Sequence, residues 1–122
     1  MNPWLAVFLG GGAGSVVRYA ISRLLLRFAA NSVFPWGTLA ANVIATALLA
    51  WLMLRWNTTA PGREPWHALL AVGFCGGFST FSTFGFENYV LFRDGMTGIA
   101  LLNIAISVIA GVALFHLFAR SA

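Results

Sequence analysis

The residues best suited to chemistry lie in one run, Gly73-Phe74-Cys75-Gly76-Gly77-Phe78-Ser79-Thr80-Phe81-Ser82-Thr83-Phe84. Adjacent glycines weaken a helix, and hydroxyls follow at Ser79, Thr80, Ser82 and Thr83. Phe81 and Phe84 fall near one helix face. Backbone freed by a helix break presents carbonyls to a cation or N–H groups to an anion. The edge of a phenyl ring is its positive part and meets an anion weakly. Phenylalanines alone are ordinary packing residues. Together, a break, hydroxyls and paired rings point to an ion site.

The elements that carry this run belong to a membrane. Of the 122 residues, 60% are hydrophobic and only 8% charged, against about 25% charged in a soluble domain. The mean hydropathy is +0.85. Four apolar stretches, at about 4–26, 37–56, 66–92 and 96–118, are each long enough to cross a hydrocarbon core of about 30 Å as a helix. Trp4, Trp36, Trp56 and Trp66 mark their ends, where aromatic belts sit. The expected fold is an all-α membrane protein with four transmembrane helices in one domain, 1–122, its third helix broken at its middle. The N-terminus lacks the basic region of a signal peptide, so the first stretch is expected to stay in the mature protein. The connections are too short for a soluble domain. A subunit of this size cannot enclose a wide pore, so function is expected to need more than one copy.

Charge excludes some classes. The net charge of +4 comes from seven scattered arginines, which is not a nucleic-acid footprint. The single cysteine, Cys75, allows no disulfide or CxxC metal pair within the chain and reads as a packing residue. Gly10-Gly11-Gly12-Ala13-Gly14 is no dinucleotide loop, because no strand precedes it and the fingerprint spacing is missing. Arg55, Arg63 and Arg120 lie on the side of the N-terminus, and Arg23, Arg27 and Arg93 on the other. This balance leaves two readings of the positive-inside bias. Either the bias is simply weak here, or both orientations insert and pair as an antiparallel homodimer.

Polar residues inside the spans recur every four positions. They are Thr38, Asn42 and Thr46 in the second, Asn103, Ser107 and Gly111 in the fourth, and Gly10, Gly14, Arg18 and Ser22 in the first. Such a spacing puts one small or polar stripe on each helix. Packing is the favoured reading for Gly10, Gly14 and Gly111, and for Thr38 and Thr46, whose hydroxyls can bond back to their own helix. Asn42 and Arg18 need more partners than packing supplies, which leaves packing and a polar path both open. Arg18, Asn42, Glu87 and Asn103 fall in one leaflet by depth. In an antiparallel pair a mid-depth break lies on the two-fold axis. Donors outnumber the one carboxylate, Glu87, which Arg18 could neutralise, so an anion path fits better than a cation path.

At these residues the chain resembles the Fluc (CrcB) family of fluoride channels. The resemblance covers essentially the whole chain. Its marks are Gly11-Gly12-Ala13-Gly14-Ser15-Val16-Val17-Arg18-Tyr19, then Gly37-Thr38-Leu39-Ala40-Ala41-Asn42, then Gly73 through Phe84. It implies no enzyme but a dual-topology homodimer with two fluoride pathways, passive and selective against chloride. Such a channel protects a microbial cytoplasm from the plasma membrane of a prokaryote, the inner membrane if Gram-negative. By position, Phe81 and Phe84 resemble the ring pair lining the pathways, and Asn42 the asparagine that faces a fluoride. Gly76 and Ser79 match positions whose backbone carbonyls, from both subunits, bind a central structural Na+. Thr83, Ser107 and Arg18 match polar positions along or near the pathway. The family often has threonine at the position of Ser79, where a backbone ligand survives the change. It often has tyrosine at that of Asn103 and serine at that of Gly111, so this wall of the polar track is altered. Two rivals stand beside this reading. A small dual-topology cation or drug exporter would rest on Glu87, and a helical scaffold would transport nothing.

Overall fold

A computed structural model describes residues 2–120. Four helical spans are long and apolar enough to cross a membrane, and the described residues contain no strand. Caps rather than hydropathy set the edges of the spans. Helix α1 is Pro3–Phe28; Asn2 Oδ1 accepts from the Trp4 N–H at 2.8 Å, and Pro3 has no N–H to satisfy. Arg27 in its last turn suits the negative end of the helix dipole. Helix α2 is Trp36–Trp56, its final stretch Leu52–Trp56 widened into π-type turns. It stops at Asn57, which takes a left-handed φ of 58°, a conformation asparagine tolerates.

The third span, Glu64–Arg93, has two helical pieces. Helix α3 covers 64–78 and contains the wide turns His67–Cys75, and helix α4 is Phe81–Arg93. Between them Ser79 (φ −81°, ψ 155°) and Thr80 (φ −149°, ψ 123°) are extended. Gly76 and Gly77 themselves stay helical. A tight turn at Gly95, φ 80°, leads to helix α5, Thr97–Arg120.

Two small clusters form the interior. Ala41, Ala45 and Phe78 pack with Val17, Ile21 and Phe74, while Leu52, Ala71 and Cys75 pack with Leu48, Met53 and Trp56. Most large apolar side chains point outward, including Trp4, Phe8, Phe28, Val72 and Ile109. In water such a surface would drive aggregation; in a bilayer it is the solvated face. The helices therefore depend on backbone proximity and polar contacts more than on a large core.

The closest approach is between α1 and α3. A Cβ added at Gly10 would collide with the Leu69 carbonyl, one at Gly14 with the Phe74 carbonyl, and one at Gly77 with the Gly11 carbonyl. Packing is thus the role of Gly10 and Gly14. Gly111 differs: nothing lies within 4 Å of its added Cβ, and it borders a space of about 20 Å³. Within the chain, the packing expected at Gly111 is loose, with α2 residues Asn42 and Thr46 across this small space.

Candidate functional site

The extended pair Ser79–Thr80 is held from outside its own span. Thr80 N–H donates to Asn42 Oδ1 at 2.8 Å, and Asn42 Nδ2 donates to the Thr80 carbonyl at 3.2 Å. One carboxamide on α2 thus satisfies both backbone groups of a residue that left the helix. The first bond also fixes the amide orientation, since only an oxygen can accept from Thr80 N–H. Thr46 hydroxyl bonds back to the Asn42 carbonyl at 2.7 Å. Thr80 in turn caps α4, its hydroxyl accepting from Thr83 N–H at 3.3 Å.

These bonds decide which carbonyls are left over. A continuous helix would give Thr80 N–H to the Gly76 carbonyl and Thr83 N–H to that of Ser79. Both N–H groups go to side chains instead. The neighbouring carbonyls are taken: Cys75 O accepts from Ser79 N–H at 3.0 Å and from its hydroxyl at 2.9 Å, and Gly77 O accepts from Arg18 Nε at 3.1 Å. Arg18 therefore binds the end of α3, as a cation near a helix C-terminus should, and not Glu87. Gly76 is exposed, with open space where a Cβ would be.

A cavity of about 260 Å³ opens over this segment, lined by Asn42, Ser79, Thr80, Phe81, Phe84 and Ser107, among others. The Phe81 and Phe84 rings lie 5.9 Å apart between centroids at 39°, so edges as well as faces border the space. Phe81 is 83% exposed, a large ring left uncovered by its own chain. Donors line this cavity, the second Nδ2–H of Asn42 and the hydroxyl of Thr80, beside the Ser107 hydroxyl, which donates to Asn103 Oδ1. An acceptor-only ion suits such a lining. Of the residues singled out from the sequence, Asn42, Phe81, Phe84, Ser107 and Ser79 meet here. Thr83 lies just behind, in the first turn of α4, and Arg18 lies on the α1 side.

A second cavity, about 390 Å³, is bordered by Ser22, Trp36, Thr38, Glu87 and Leu91, among others. Glu87 Oε1 is buried without a hydrogen-bond partner among the described residues. Thr38 is the hydroxyl neighbour of that carboxylate.

One polar residue escaped the sequence reading. Asn88, 5% exposed, donates Nδ2 to the Phe84 carbonyl at 2.9 Å, and its Oδ1 accepts from Asn103 Nδ2 at 2.9 Å. Ser107 hydroxyl continues the chain to Asn103 Oδ1 at 3.4 Å. The available signal was spacing, since Asn88 stands four residues after Phe84 and seven after Phe81, on the ring-bearing face.

Comparison with known proteins adds an independent line. The model of the family described as "CrcB-like protein, Camphor Resistance (CrcB)" matches residues 5–118. A fluoride-specific ion channel of Novosphingobium aromaticivorans is 43% identical over 92% of this chain and 89% of its own length. One of Proteus mirabilis is 46% identical over 83% and 80%, and one of Escherichia coli 41% identical over 96% and 94%.

Proposed function

The chain belongs to the CrcB-like family, and from that premise we propose how it serves as a fluoride channel, a transporter and not an enzyme. Two antiparallel copies form the working unit in the plasma membrane of a prokaryote, and fluoride leaves the cytoplasm passively. Each of two pathways runs along the groove of Asn42, Thr80, Phe81, Phe84 and Ser107. The observation that carries this reading is the donor-lined cavity over the extended Ser79–Thr80 segment. Fluoride is small and strongly hydrated, so an N–H, hydroxyls and ring edges must replace water around it. The largely uncovered Phe81 ring supports a second copy completing the wall.

A structural Na+ fits the residues present. It prefers oxygen donors, and unwound backbone carbonyls supply them. Gly76 and Ser79 are the positions whose helical N–H partners have been diverted, and they would hold the ion where two copies meet. There it would supply a fixed positive charge and join the two broken spans.

The test is efflux from fluoride-loaded liposomes holding purified protein, followed with a fluoride electrode. Fluoride should leave and chloride should stay. Fluoride efflux no faster than from protein-free liposomes would overturn the reading.

A further inference from the structure

The two cavities follow one another along α2 and α4. On α2, Thr38 borders the larger cavity and Asn42 the smaller, one turn on. On α4, Leu91 borders the larger and Phe84 the smaller, with Asn88 between them. On α5, Ser107 borders the smaller, and Asn103 lies one turn before it. The hydrogen-bonded pair Asn88–Asn103 thus ties α5 to the stretch of α4 that separates the two cavities. Both side chains are buried, 5% and 1% exposed.

Each carboxamide has two N–H donors, and each commits one. Asn103 gives one to Asn88, and Asn88 gives one to the Phe84 carbonyl. The acceptor sides are also engaged, Asn88 Oδ1 by Asn103 and Asn103 Oδ1 by Ser107. The second N–H of each amide is thus buried and has no acceptor among the described residues. Burying a donor unpaired is costly, so a mobile acceptor is the natural complement.

We infer that Asn88 and Asn103 form a donor-lined constriction that binds fluoride as it passes between the two cavities. The inference rests on the fluoride-channel reading and adds a subsite to it. It also accounts for the departure at position 103. Where the resemblance calls for a tyrosine hydroxyl, this chain sets an amide donor and braces it with a second amide on α4.

Asn88→Asp tests the role. It is nearly isosteric and still accepts the bond from Asn103, but it has no N–H to offer and repels an anion. Fluoride efflux should fall about tenfold or more, the rate expected from losing a hydrogen bond to an ion, while the elution volume stays that of the wild type and the melting temperature falls because the bond to the Phe84 carbonyl is also lost. Wild-type efflux from a folded Asn88→Asp protein would overturn the inference and leave the channel reading standing. A wild-type protein that carries no fluoride would overturn both. Should Asn88→Asp not fold, the isosteric pair Asn103→Thr and Asn103→Val decides. The hydroxyl variant should conduct and the apolar one should not; equal efflux from the two would overturn the inference.

Discussion

The α1–α3 seam and the α2–α4–α5 groove are built from the same sequence signature and do opposite things. In both, small or polar residues recur every four positions along a helix. At the seam these residues are Gly10 and Gly14 facing Gly73 and Gly77, and backbone touches backbone. In the groove they are Asn42, Thr46, Ser107 and Gly111, and the space between helices stays open and lined with polar groups. A stripe of this kind therefore signals that something other than lipid lies against it, but not whether that something is a helix or an ion. The deciding quantity is what a Cβ would meet. At Gly14 it meets the backbone of Phe74 and Phe78; at Gly111 it meets nothing within 4 Å.

The largest effect should come from Gly14→Ala. Its Cβ would sit 2.8 Å from the Phe78 nitrogen and closer still to the Phe74 carbonyl. Neither neighbour is a side chain that can rotate away. Overpacking of this sort costs about 1–3 kcal/mol and sometimes more. We expect aggregation on expression or a strongly lowered melting temperature in detergent, with fluoride efflux lost in consequence. A Gly14→Ala protein as stable as the wild type would remove the distinction between seam and groove.

Next in size is Asn42→Ala. It removes two hydrogen bonds to Thr80, each worth about 1 kcal/mol net, and frees Thr80 N–H to return to the Gly76 carbonyl. The groove would lose its anion-facing donor and the extended segment its brace. Efflux should fall about tenfold or more, with a smaller loss of stability than at Gly14. Hydrogen exchange at the Thr80 amide reads the brace directly and should speed up or shift its protection. Unchanged exchange with lost efflux would leave Asn42 as an ion ligand alone.

These contrasts also mark how far the sequence could be read. The spans were legible because lipid permits an almost unbroken apolar run, and their edges less so, because Asn2 and Asn57 act through capping and backbone conformation. The run from Gly73 to Phe84 was visible as unusual, yet its adjacent glycines said only that a break lay near the middle of the span. The extended residues are Ser79 and Thr80, since Gly77 is reserved for contact with Gly11 and the pairing that holds Thr80 out comes from Asn42, 38 residues away. No local propensity encodes a partner at that distance. Arg18 is similar: composition offered Glu87 as its partner, and the fold gave it the Gly77 carbonyl, 59 residues on. Asn88 was overlooked because it stands beside Glu87, the more conspicuous charge.

The smallest effect, and the finest probe of the groove, is Gly111→Ser. The space beside Gly111 is bordered by Asn42, Thr46 and Ser107, so a hydroxyl added there joins a polar lining and brings an uncommitted O–H without touching backbone. Replacing glycine inside a helix gains a few tenths of a kcal/mol from propensity, and no collision offsets it. Stability should therefore hold or rise slightly, in contrast to Gly14→Ala. The new donor should raise efflux about two- to threefold, the rate equivalent of a weak net hydrogen bond near 0.5 kcal/mol. A clear loss of stability would mean that a second copy packs against Gly111, and this part of the groove would then belong with the seam.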